Sequence, residues 1–477
     1  MSNPFPAAMA SKASVFAALD AAPMTPAHYL YWLVASGGTL LDGFSVVALG
    51  IALPLIERDF AISPTMVGLI GSALVLGAVI GAMLGGVAAD RIGRKRAFVL
   101  DMAILAAGAA LCALATGPWL IVAGQFVIGV GIGIDFPTSG SYVSEITPMA
   151  ARSRMTVATI ALQSVGMILA ALAGIVVLRA HPAIGDWRLL VGMGGAIALL
   201  YLLARLGLPE SPRWLAEKGL FAQAAAVLSR LTGLAVSAAR MEPAAGHAAP
   251  ASPSPPGNDL SLLMLFDARY RARTVLVSLP WFLMDIATYG VGLFTPVILG
   301  TLHFTSAAHG TVAAVFADAE GSGAVDLFLL VGFVVGIFAI SYFGRISMQV
   351  AGFAGMTLGM LLLLLATLTD NGPQEHLWLV IGGFVLFNFA MNAGPNGTTF
   401  TLAPMLFPTG IRASASGFAA ASAKIGATFG TFVVPLLQAK WGLTGVLALM
   451  ACVSVAGLIA TAGFAEVVRV EEEIEEG

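Results

Sequence analysis

Six ionisable residues stand inside stretches that are otherwise apolar: Asp42, Asp101, Asp135, Asp285, Asp326 and Lys424. An isolated charge in such surroundings is costly unless it is paired or protonated, so an intramembrane ionisable group reads by default as functional. In PWFLMDIATYGVGLFT, residues 280–295, Trp281, Asp285 and Tyr289 recur at intervals of four. That spacing stacks an indole, a carboxyl and a phenol along one helix face. A carboxyl held among apolar groups can enter protonated beside a solute and leave ionised; its negative charge then repels an anion. Lys424, in a low dielectric, attracts the anion or, once it has gone, neutralises a carboxylate. Asp101 lies one turn from a basic loop and Asp326 near the outer end of its stretch, and both read as interfacial. Asp42, Asp135, Asp285 and Lys424 remain, with a static Asp42–Lys424 ion pair as the competing reading.

The elements that must carry these residues follow from composition. The chain has 477 residues, 58% hydrophobic and 10% charged, against about 25% charged in soluble domains. Apolar stretches recur near 30–55, 64–89, 97–116, 118–141, 155–179 and 188–207, then near 274–300, 324–343, 350–369, 377–400, 414–437 and 443–465. The expected fold is an all-α membrane protein with twelve transmembrane helices in two six-helix bundles. The domain reading is a cytoplasmic N-terminal segment (1–29), a first bundle (30–207), a cytoplasmic linker (208–272), a second bundle (273–466) and an acidic cytoplasmic tail (467–477). Residues 1–29 lack the long apolar core of a cleavable signal, and SVFAALDAA predicts a short helix before the first span. The linker centre, MEPAAGHAAPASPSPPGND, is Pro/Ala/Ser-rich, the composition of a flexible connection.

Of the 23 Lys and Arg, only Arg58, Arg179, Arg188 and Lys440 fall on one side, with Lys424 inside a span. The rest share the other side, which places both termini in the cytoplasm and the chain in a plasma or bacterial inner membrane. Cys112 and Cys452 both sit within spans, far apart in sequence, and the six histidines show no ligand spacing. No disulfide framework, metal site or cofactor is expected, nor nucleic-acid binding or enzymatic activity; a nucleotide-binding loop is also missing. In the second span Gly77, Gly81 and Gly85 recur every four residues. They read as close static packing or as a sliding contact between bundles.

Four loops carry recognisable motifs. GGVAADRIGRKRAF, with Gly86, Asp90, Arg91, Gly93, Arg94 and Lys95, resembles the G-x-x-x-D-R-x-G-R-K/R loop of the major facilitator superfamily. Asp90 suits a latch that pairs with basic groups or with a helix N-terminus on a neighbouring span. SYFGRISMQ, after the eighth span, keeps Gly344 and Arg345 but has Ser341 at the aspartate position, a decayed copy expected of a duplicated unit. LPESPRWLAEKG and SYVSEITPMAARSR are similar to signatures of the sugar porters and their near relatives. The resemblance implies a gating network of Asp90, Arg91, Arg94, Glu145, Arg152, Glu210 and Arg213.

The mid-span neighbourhoods resemble the phosphate:proton symporter branch. GVGIGIDFPTSG, WFLMDIATYGVGLF and NFAMNAGPNGTTFTLAPMLFPTGIRASASGFAAASAKIGA carry the likeness, and TLLDGFSVVALG keeps Asp42. That resemblance implies a substrate site of Gln163, Trp281, Asp285, Tyr289, Asn392 and Lys424, with proton coupling through Asp42, Asp135 and Asp285. Two positions depart from the branch: Phe136 stands where it has tyrosine, and Ser45 where it has a second aspartate. The paired glutamines of sugar porters are missing at the start of the seventh span, which argues against a hexose site. The expected activity is proton-coupled symport of a small solute by alternating access, with phosphate or another small anion first. A sugar or organic-acid porter of the same fold is the alternative, and a non-transporting nutrient sensor the remote one. The expected partners are the solute, protons and the lipid bilayer, with a monomeric functional unit.

Overall fold

Proline and glycine set where the helices begin, break and meet. The computed structural model describes residues 12–180, 183–233, 262–292, 329–369, 376–408 and 410–476. Its first bundle has spans 1 to 6 at Pro26–Phe60, Thr65–Ile92, Arg94–Ala113, Pro118–Ile146, Met149–Ala180 and Ile184–Leu206. In the second, Arg271–Gly292 is the described part of span 7 and Leu329–Phe343 that of span 8. Spans 9 to 12 follow at Arg345–Leu368, Trp378–Leu406, Arg412–Val434 and Lys440–Glu466. The expected twelve-helix, two-bundle arrangement is thus present. A helix at Lys12–Ala21 precedes span 1, as SVFAALDAA predicts, and short helices at Pro212–Glu217 and Phe221–Thr232 follow span 6. Asp326 lies outside the described residues.

Pro26 and Pro118 occupy first-turn positions of spans 1 and 4, where the missing N–H costs nothing. Gly93 (φ +98) and Gly344 (φ +76) turn the chain into spans 3 and 9, and each is followed by arginine. Positive φ at equivalent points of the two halves bears out the reading of SYFGRISMQ as a copy, since this turn strains any residue with a side chain. Spans 1 and 10 are discontinuous, span 1 at Ser36 (φ −81, ψ 4) and span 10 at Gly394 (φ −120, ψ −102). Such breaks release backbone groups that must find partners inside the protein.

Small residues pair the helices in a pattern that repeats between the halves. Gly43 and Gly166 bring spans 1 and 5 together, while Gly426 and Gly430 do the same for spans 11 and 7. Gly108 and Gly124 join spans 3 and 4, and Gly359 and Gly383 join spans 9 and 10. The Gly77, Gly81 and Gly85 stripe packs on Phe126, Val130, Gly133 and Ile134 of span 4. It is close packing within one bundle, and the sliding-contact reading is corrected. The seam between bundles instead uses Gly86 of span 2 against Ala413 and Gly417 of span 11. Outward faces carry exposed Leu84, Val176, Leu200, Leu203 and Phe432, an apolar exterior suited to lipid.

Candidate substrate and proton site

Lys424 organises the centre. It projects from span 11, is 5% exposed, and its Nζ donates to the Tyr289 hydroxyl of span 7 at 2.6 Å. The same Nζ lies 3.7 Å from Asp42 Oδ2 of span 1. Gln163 of span 5 donates from Nε2 to that carboxylate oxygen at 2.7 Å. The ammonium also sits 4.8 Å from the ring centroids of both Phe136 and Tyr289, a cation–π arrangement. Asp285 is buried one turn from Tyr289 on the same helix, near enough to Lys424 and Asp42 for their charges to act on its carboxyl. Residues from both bundles therefore converge, and Asp42, Gln163, Trp281, Asp285, Tyr289 and Lys424 form one group. One cation faces two acidic side chains.

Trp281 contributes more than its place on the stripe. Its ring lies 6.3 Å from Phe136 of span 4 and 6.1 Å from Phe400 of span 10, and Phe136 and Phe400 are also 6.1 Å apart. This trio of tilted and edge-on rings crosses the seam between Lys424 and the Asp90 end. Asn392 stands elsewhere in the polar plan. Its Nδ2 donates to Asn388 O at 2.8 Å and its Oδ1 accepts from Asn396 Nδ2 at 2.8 Å, a ladder that bridges the break in span 10. Ser45 lines a small cavity inside the first bundle with Phe44, Gln125 and Val191.

Asp135 is buried in a second cluster. Arg205 Nη2 donates to Asp135 Oδ1 at 2.6 Å, and Nη1 bonds both oxygens of Asp101 at 2.7 and 2.8 Å. Two sequence expectations are corrected here. Asp101 is fully buried rather than interfacial, and Arg205, counted with the basic residues of one side, is fully buried within span 6. Arg205 in LLARLGL resembles any span-end arginine, so charge position alone could not separate it from the basic loops. Its placement one helical turn beyond Tyr201 was the available signal.

The gating candidates lie at the far end of the bundles, where the seam is closed. Asp90 Oδ2 accepts from both Ser414 N and Ser414 Oγ at 2.9 Å, at the first turn of span 11. The carboxylate thus meets a helix N-terminus on the partner bundle, as the latch reading expects. Asp90 Oδ1 accepts from Arg94 at 2.9 Å, Arg94 pairs with Glu145 at 2.9 Å, and Arg412 reaches Glu145 at 3.5 Å. Glu210 takes the backbone N–H groups of Arg94 and Lys95 at 2.9 and 3.2 Å, capping span 3. Burial pushes the Glu210 carboxyl above the usual range, opposed by the Ser211 N–H, the Arg94 charge and those two amides. Arg152 and Arg213 were expected beside Glu145 and Glu210, but both converge on Asp20 of the N-terminal helix. Asp20 was missed because it belongs to no motif, and Ser414 because it falls at an unspecified position of the span 11 stretch. Arg91 is exposed in the last turn of span 2. Two further contacts cross the seam, Arg154 to Ser341 at 2.8 Å and Arg345 to Ser153 at 2.6 Å.

Comparison with known proteins agrees with this architecture. The family described as sugar (and other) transporter matches residues 31–472. The putative metabolite transport protein YaaU of Escherichia coli (strain K12) is 27% identical over 442 residues, covering 93% of each chain. A probable inorganic phosphate transporter 1-6 of Arabidopsis thaliana is 26% identical, covering 94% of this chain and 93% of that protein. Among solved structures, the proton:xylose symporter XylE bound to 6-bromo-6-deoxy-D-glucose superposes with a TM-score of 0.77 at 20% identity, covering 91% of this chain and 94% of that one. The chain belongs to the sugar (and other) transporter family, with the major facilitator fold, and it is a multi-pass membrane transporter of small solutes, not an enzyme.

Proposed function

We propose that this transporter is a proton-coupled symporter of a small anion, with inorganic phosphate the first candidate. The observation that carries the reading is the pairing of Lys424 with Tyr289 and Asp42 in a buried site that also holds Asp285. Uncompensated buried charge is costly. With no solute, Lys424 balances one ionised aspartate and the other is protonated. A bound anion takes over Lys424, so the second aspartate must also take a proton. A singly charged anion therefore brings one proton, and loss of the proton on the far side sets a carboxylate against the anion. Gln163, already on Asp42, orients that carboxyl. The Asp90, Arg94 and Glu145 cluster holds the bundles closed at the end carrying the basic loops, which is the cytoplasmic end. Opening there, and closing at the other end, completes alternating access.

A second reading, an organic-acid porter of the same mechanism, is favoured by Phe136, Trp281 and Phe400, which offer a solute ring faces and edges instead of hydroxyl donors. The likeness to metabolite transport proteins supports it. Uptake of labelled phosphate into proteoliposomes under an imposed pH gradient tests both, with unlabelled phosphate, organic acids and hexoses as competitors. Asp285→Asn is expected to abolish net proton-driven uptake; a variant with the wild-type rate and pH optimum would remove Asp285 from the mechanism.

A further inference from the structure

Arg205 spends its guanidinium on two different tasks. It pairs with Asp101 of span 3 and Asp135 of span 4, and stacks 4.3 Å over the Phe98 ring. It also donates to the carbonyls of Val34 at 3.3 Å and Ala35 at 2.7 Å. Those carbonyls stand immediately before the break at Ser36, where continuous helix would otherwise supply their partners. One side chain thus ties a pair of acids to the discontinuity of span 1.

The charges of this cluster do not balance. Arg205, Asp101 and Asp135 are each fully buried, and two carboxylates against one guanidinium would leave a net negative charge in a dry interior, a state costly enough that a proton is taken up instead. The oxygens of the two acids are unequally partnered. Both Asp101 oxygens and Asp135 Oδ1 accept from Arg205, whereas Asp135 Oδ2 is buried with no hydrogen-bond partner. Asp101 and Asp135 meet on the two terminal nitrogens of the same guanidinium, so the two acids stand side by side against one positive charge. The other ionisable groups acting on Asp135 are Asp42 from span 1 and Tyr201 from span 6; a second carboxylate nearby raises the cost of leaving the triad negative.

The geometry points to a one-proton site formed by Asp101, Asp135 and Arg205, separate from the Lys424 site and fastened to the break in span 1. Arg205 is the positioning residue. Gly38 of span 1 packs against the Asp135 carboxyl so closely that an added Cβ would overlap it. Asp42 stands one turn further along the same helix and bonds Gln163 and Lys424. A proton gained or lost by the acid pair changes its hold on Arg205 and the packing under Gly38, and so bears on the helix that presents Asp42. The proton-coupled reading gives this site its use, but the proton itself is counted without any substrate.

The test is infrared difference spectroscopy of the purified full-length chain across a pH titration, following the C=O stretch of protonated carboxyl groups. Asp135→Asn and Asp101→Asn are each expected to lose the signal of one protonated carboxyl, because one remaining carboxylate balances Arg205 without a proton. Arg205→Lys is expected to keep that signal with a shifted midpoint, and Asp285→Asn to leave the triad's component unchanged. Retention of the full signal in both triad variants, each checked for folding by circular dichroism, would overturn the inference while leaving the transport reading intact. Loss of the triad signal in Asp135→Asn and Asp101→Asn, with no proton-driven uptake of any solute, would uphold the site and remove the symport reading.

Discussion

Asp90→Asn isolates one contact that exists only when the bundles are closed at this end. Asp90 Oδ1 bonds Arg94 inside its own bundle, but Oδ2 receives two bonds from Ser414 of the partner bundle, each 2.9 Å. Asparagine retains one acceptor oxygen and loses the charge, so the variant forfeits about one charge-assisted hydrogen bond, worth roughly 1.5–3 kcal/mol. The favourable interaction with the N-terminus of span 11 goes with it, about 0.3–1 kcal/mol more. The Arg94–Glu145 and Arg412–Glu145 pairs remain. The ratio of open to closed at this end should therefore rise by about twentyfold to several-hundredfold, since 1.4 kcal/mol is a factor of ten. Spin labels on cysteines replacing the exposed Arg96 and Tyr342, one in each bundle, report that ratio through their distance distribution once Cys112 and Cys452 are removed. A longer-distance component should grow in Asp90→Asn and further in Asp90→Ala. An unchanged distribution in both variants would refute the latch.

Gly86→Val and Gly81→Val separate the seam from the bundle interior. A Cβ at Gly86 meets Ala413 and Gly417 across the seam, whereas one at Gly81 meets Val130 and Gly133 of span 4; the first should open the same spin-label pair, and the second should lower the thermal midpoint without favouring either state. Lys424→Gln leaves Asp42 without its cation, and breaking a buried pair costs about 3–5 kcal/mol. Anion binding by the purified variant, measured calorimetrically, should weaken about a hundredfold or more, with partial rescue in Lys424→Arg. Glu210 has a folded-state pKa above its unfolded value, so the folded protein holds this proton more tightly. Its contribution then favours folding at low pH and declines as pH rises through the window between the ordinary glutamate value and the raised one. Thermal unfolding across that window should show a shallower pH slope in Glu210→Gln.

Much of the architecture was legible because the bilayer permits few solutions. Long apolar stretches must be helices, and the G-x-x-x-D-R-x-G-R pattern marks the loop after span 2. The intervals between Trp281, Asp285 and Tyr289 put them on one face whatever packs against it. The Asp42–Lys424 ion pair, the competing reading, is present at 3.7 Å and is joined by Gln163 and Tyr289. These features are local, or are enforced by the cost of unpaired charge in lipid.

What span position could not decide was which charge meets which. Arg205 looked like a positive-inside residue, yet it is buried against Asp101 and Asp135 because a long side chain at a helix end can turn inward as readily as outward. Arg152 and Arg213 looked like partners for motif glutamates and instead share Asp20, whose helix has no motif. The glycine stripe of span 2 was visible, but its partner was set by how span 4 leans against it. Sequence by itself determined the helices, their number and the identity of the mid-membrane ionisable groups, because periodicity and the dielectric of lipid act residue by residue. Tertiary structure alone decided the division of the acids between Lys424 and Arg205, because pairing depends on angles between helices that no single helix encodes.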